Sequence, residues 1–224
     1  MQKKASLPGK NVCTNILDIG SFGFKTWDTC ERLAKTKNSP FFLKAFSCEL
    51  GKKSEHNEKN LTVVLDKGDY CSYLQGEPSG FYHQVHLHAP GGITTRRENG
   101  FDGFASDINR IMKPGAILFA SADFCFSVYS FGDETGIRAL YDRLLPHFNI
   151  MLSLFDKCLA SGFTGGNPIG KNFIDKEAMH GLFRLFDYGA PKDVKKMPEI
   201  IRDFFGLFSV NNNDMDYFMI AKKK

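Results

Sequence analysis

No stretch of this 224-residue chain approaches the roughly 20 consecutive apolar residues that a bilayer-spanning helix needs. The basic start, MQKKASLPGK, leads into no apolar segment, so a secretory leader is not expected there. The six cysteines (13, 30, 48, 71, 125 and 158) form no Cys-x-x-Cys pair, a pattern that suits free thiols in a reducing cytoplasm better than a disulfide frame or zinc site. The Gly-x-Gly-x-x-Gly fingerprint of nicotinamide and flavin folds is missing as well. Internal repeats and long polar linkers are absent, and one domain over 1–224 is expected. What the chain has in excess is phenylalanine, 22 copies, enough to supply much of a core. Its net charge of +4 is shared with the ends MQKK and AKKK, and permits a polyanionic partner without requiring one.

Period and punctuation give strands alternating with helices. TNILDIG reads as a buried strand and TWDTCERLAKTK as a helix with Trp27, Leu33 and Ala34 on its apolar face. FFLKAFSCEL is a second strand, GKKSEHNEKN a polar connection, and LTVVLDKGDY a third strand. FYHQVHLHAP alternates as a fourth, FDGFASDINRIM is helical with KPG as its stop, and AILFASADF is a fifth strand. ETGIRALYDRLLPHF has the spacing of a long amphipathic helix, and residues 161–200 break the rhythm as a helical insertion. GLFSVNNNDMDYFMIAKKK reads as a closing β-hairpin. The expected fold is therefore α/β, a Rossmann-like, mainly parallel seven-stranded sheet with helices on both faces and a C-terminal antiparallel hairpin.

In an open sheet of this kind the ligand lies beyond the carboxyl ends of the strands. Asp18, Glu49, Asp69, His88 and Asp123 all fall at or just past such ends. The turn Asp18-Ile19-Gly20-Ser21-Phe22-Gly23 lets Gly20 and Gly23 bring backbone close to a ligand, with Asp18 placed for a cationic amino-acid end. Glu49 suits the two hydroxyls of a ribose, and Asp69 an adenine amino group. Each residue has a plainer reading as well: a strand meeting a loop, a solvated carboxylate, a turn-forming Asp.

These motifs resemble the class I S-adenosylmethionine-dependent methyltransferases. ILDIGSFG, SCEL, KGDY and INRIMKPGAILFASAD follow that family's motif series, with Met112-Lys113-Pro114-Gly115-Ala116 standing where Leu-Lys-Pro-Gly-Gly is usual. The resemblance covers about 14–145 and the last 20 residues. Within the superfamily, VHLHAPGGITTRRENG followed by the helix and Ala122-Asp123 is similar to the tRNA guanine-N7 methyltransferases. The resemblance implies S-adenosylmethionine as cofactor, held by Asp18, Gly20, Gly23, Glu49, Asp69 and Tyr70. Asp123 then matches that family's Thr-Asp and Arg96-Arg97 its basic run; His88, at the strand tip, and Asp123 are the expected catalytic residues facing the acceptor, His88 as a base, while the arginine forks suit phosphate on tRNA, another RNA or a phosphorylated small molecule.

Paired His86 and His88 share a strand face and could ligate a metal, yet no acid or cysteine follows at close spacing, and no metal is assigned. Two other functions compete with methyl transfer. Phe22 and Phe24, where the superfamily usually carries glycine, suit a catalytically degenerate relative that binds protein or RNA. A nucleotide-dependent oxidoreductase on a related sheet is the third.

Overall fold

A computed structural model describes residues 13–19, 25–46, 53–66, 70–88, 100–122, 143–155, 173–175, 177–178 and 217–224. Strand β1 (Thr14–Ile19) is buried from Asn15 to Ile19, as a central strand covered on both faces must be. β2 (Phe41–Phe46) and β4 (Leu61–Asp66) follow on one side of it, in register through Ile19, Phe46 and Asp66. β5 (Tyr82–His88) lies parallel on its other side, with Ile19 opposite Leu87, and β6 (Met112–Ala122) extends the sheet beyond. Among the described residues nine strands form one sheet, ordered β3-β4-β2-β1-β5-β6-β9-β7-β8, where β3 is Ser54–Glu58, β7 Phe148–Phe155, β8 Phe173–Ile174 and β9 Tyr217–Lys223. Successive crossovers run outward from β1 in one direction and then reverse to β5, so the chain is doubly wound with its switch point between β1 and β5.

Two helices close the faces. On α1 (Lys25–Lys37), Trp27, Cys30, Leu33 and Ala34 recur at helical spacing and cluster with Ile16, Leu43 and Val63. On α3 (Gly100–Ile111), Phe104, Ala105, Ile108 and Ile111 form the matching stripe and cluster with Leu17, Val85 and Leu118. Burying each such large side chain stabilises the fold by about 1.5–3 kcal/mol. The short α2 (Tyr70–Gly76) brings Leu74 to the α3 side.

Several expectations need correction. The polar connection GKKSEHNEKN contains β3, an antiparallel edge strand on β4. A further strand, β7, stands between the expected long amphipathic helix and the insertion: Arg143 and Leu144 are helical, Leu145–His147 make a 3-10 turn and the chain then extends, the earlier part of that expected helix lying outside the described residues. β8 lies inside the segment expected to be a helical insertion, and pairs with β7 through Leu152 and Ser153. The final strand is antiparallel as expected, but both of its edges are occupied, by β6 and β7. The expected first arm of the hairpin, at 206–210, lies outside the described residues. The Lys-Pro-Gly stop proves to be a bulge in β6: Tyr82 pairs with Met112 and Gln84 with Ile117, the slack being taken up around Gly115 at φ +74°.

Candidate functional site

The register makes the parallel strands end flush. Ile19, Phe46, Asp66 and Leu87 are level, and His88 is paired with Ser121 one step further on. The chain therefore leaves β1, β2, β4, β5 and β6 at a single edge, which is the geometry the strand-end reading needs. Asp18, the next-to-last residue of β1, is 0% exposed. Its register partners are Ala45 on β2 and His86 on β5, so its side chain shares the α1 face with theirs. The carboxylate makes itself felt on α1, where burial first and the charge of Asp18 second push the Cys30 thiol far up.

His86, which the sequence offers only as a possible metal partner of His88, is a neighbour of Asp18 in this fold. It is 3% exposed, its ring meets that of Phe119 edge-on at 4.8 Å, and its Nε2 lies 3.3 Å from Gln84 Oε1. An acid and an imidazole thus stand on adjacent strands beneath the switch point. The alternation of YHQVHLH puts His86 on a face, but only the pairing of β1 with β5 brings it beside Asp18. His88 ends β5 and Tyr70 begins α2, at the exits from β5 and β4 respectively. Gly20, Gly23, Glu49, Asp69, Arg96, Arg97 and Asp123 lie outside the described residues. Among the described residues no cluster of three or more His, Cys, Asp or Glu side chains could hold a metal ion.

A second polar group fixes α2, whose first turn follows Asp69. Glu77, just past the helix, is buried and accepts from Lys44 Nζ at 2.9 Å and from the Tyr82 hydroxyl. Lys44 Nζ also sits 4.2 Å above the Tyr73 ring. Arg110 of α3 donates to the carbonyls of Leu74 and Glu77, satisfying groups that the helix end leaves open. Helix α2 is therefore tied at its far end to β2, β5 and α3.

No family model and no curated protein matches the chain. Among solved structures, it is similar to an S-adenosylmethionine-dependent methyltransferase from Archaeoglobus fulgidus, at 17% identity and a TM-score of 0.40, over 95% of this chain and 87% of that one. A 16S rRNA (adenine(1408)-N(1))-methyltransferase mutant from Catenulisporales acidiphilia gives 13%, 0.41, 94% and 84%. The [4+2]-cyclase SpnF gives 14%, 0.44, 96% and 76%.

Proposed function

We propose that the chain is an S-adenosylmethionine-dependent methyltransferase with a nucleic acid, such as tRNA, as methyl acceptor. The observation that carries this reading is a buried carboxylate, Asp18, at the carboxyl end of the central strand beside the switch point. A carboxylate there is an acceptor-only group, the chemistry that an ammonium requires. The cofactor supplies an activated methyl group on a sulfonium. Asp18 would orient its amino-acid end, Gly20 and Gly23 admit it to the backbone, Glu49 take the ribose, and Asp69 with Tyr70 the adenine. Methyl transfer asks mainly for positioning and a dry path, so the protein needs no strong nucleophile of its own. His88 would take the acceptor's proton, Asp123 face the acceptor, and Arg96 and Arg97 hold its phosphates. In this reading, 1–224 is one methyltransferase-like domain working in the cytoplasm. Among the described residues no helix is long and apolar enough to cross a membrane.

Isothermal titration with S-adenosylmethionine and with its demethylated product tests the reading. Binding is expected for the wild type, weakened about 10-fold or more in Asp18→Asn, since a charged hydrogen bond contributes ~1.5–3 kcal/mol. Folded wild-type protein that binds neither compound would support instead the degenerate binding protein that Phe22 and Phe24 suggest.

A further inference from the structure

Tyr73 sits one turn into α2, on the same side of that helix as Tyr70, where the chain has just left β4. Its ring lies against that of Phe46, with centroids 3.8 Å apart and planes tilted by 44°. Phe46 is buried and ends β2, level with Ile19 and Asp66. β2 is the strand between β1, which carries Asp18, and β4. The tyrosine therefore stands beside the tip of β2 at the carboxyl edge, one strand over from Asp18. Lys44 holds the ring as well: its Nζ lies 4.2 Å from the ring centre and is anchored by Glu77.

The hydroxyl is another matter. It is buried, and among the described residues it has no hydrogen-bond partner. Tyr82 shows the ordinary arrangement, buried with its hydroxyl donated to Glu77. Folded proteins pair nearly all such groups, because a hydroxyl stripped of water without a partner is costly. Phenylalanine at 73 would keep the ring contacts and avoid that cost. The polar neighbours are committed elsewhere: Glu77 accepts from Lys44 and Tyr82, and Lys44 faces the ring.

We propose that the Tyr73 hydroxyl donates a hydrogen bond to the nucleoside part of the bound cofactor, so that a group idle in the empty protein is paired in the complex. That the ligand is S-adenosylmethionine rests on the methyltransferase reading; that a nucleoside lies at the exits of β2 and β4 rests on the strand order. Purine ring nitrogens and the ribose ring oxygen are acceptors with no proton to offer, so they call for a donor, and a phenol is one. Most site hydroxyls give up water as the ligand arrives, which offsets the new bond. This one has given it up already on folding, so little is subtracted.

The test pairs stability with affinity in full-length Tyr73→Phe. Urea midpoints without ligand are expected to equal or exceed wild type, since only an idle hydroxyl is lost. Isothermal titration is expected to show S-adenosylmethionine, its demethylated product and adenosine each binding about 5-fold or more weakly than to wild type. A merely structural role would lower the midpoint, so the two readouts separate binding from folding. A lower midpoint would show the hydroxyl already paired in the empty protein, and would overturn the proposal. Unchanged affinities would overturn it too, while wild-type binding of S-adenosylmethionine keeps the methyltransferase reading. Wild type that binds adenosine but neither S-adenosyl compound, with the variant weakened, supports the nucleoside contact and removes methyl transfer. Wild type that binds none of the three overturns both.

Discussion

Tyr82 shows how much one side chain can be asked to do. Its hydroxyl is buried against Glu77, and burial, that hydrogen bond and the carboxylate's charge all push the phenol pKa well up. Cys30, held by burial and by Asp18, is pushed up in the same way. A group whose folded pKa exceeds its unfolded one stabilises the fold fully below the unfolded value, and the contribution declines as pH rises past it. For a thiol and a phenol those unfolded values are about 8.5 and 10. Urea midpoints measured from pH 7 to 11 should therefore fall on the alkaline side for wild type and fall less for Tyr82→Phe. At pH 7 the same variant should be less stable by ~1–3 kcal/mol, because Glu77 is deprived of a donor in a buried place. A wild-type midpoint that stays flat to pH 11 would contradict both assignments. None of this is legible in the sequence alone. The sequence places Tyr82 on a strand and Arg110 on a helix, but nothing in it singles out Glu77, on which α2, β2 and β5 converge. Asp18 is legible because a strand ending in an acid and a glycine turn is a local pattern. His86 becomes interpretable only through its neighbour on another strand.

Among the elements, β6 contains a bulge whose backbone calls for glycine. Gly115 adopts φ +74° so that three extra residues fit opposite β5, and no non-neighbouring atom stands closer than 3.6 Å to a Cβ there. The cost of a side chain is then conformational rather than steric. Gly115→Ala should lower stability by about 1–2 kcal/mol, while Gly115→Asn, which tolerates the left-handed region better, should lower it less. Equal melting temperatures for all three proteins would show that the bulge relaxes freely. The Lys-Pro-Gly signal announces this stop, although it marks the inside of a strand. Other elements are legible where their period is clean, as in α1, α3, β4 and β5. β3 is not, because SEHNE has no apolar residue; its backbone ladder on β4 is joined by polar side-chain contacts such as the hydrogen bond from Thr62 Oγ1 to Asn57 Oδ1 at 3.0 Å. β7 is obscured because FNIMLSLF continues an amphipathic run without a break that length or glycine would signal.

For the molecule as a whole, the parallel core of the sheet follows from alternation along the chain, while its far side does not, since β9 joins strands distant in sequence. β9 lies between β6 and β7 with both ladders made. Deleting residues 217–224 should open two facing strand edges at once. The truncated chain is expected to aggregate or to bind a hydrophobic dye, read by size-exclusion chromatography and fluorescence. A soluble, compact monomer from that deletion would mean that β6 and β7 can close without it.

The position of β9 also sets a timetable. During synthesis, β1 to β6 can emerge and begin to pair in order, but β6 must wait with one side open while about 100 more residues are made, at ~5–20 residues per second. For those seconds the nascent chain presents a long unfinished margin to its surroundings. Whatever shields it on the ribosome, a chaperone or the intervening segment itself, becomes part of how this protein reaches its native state.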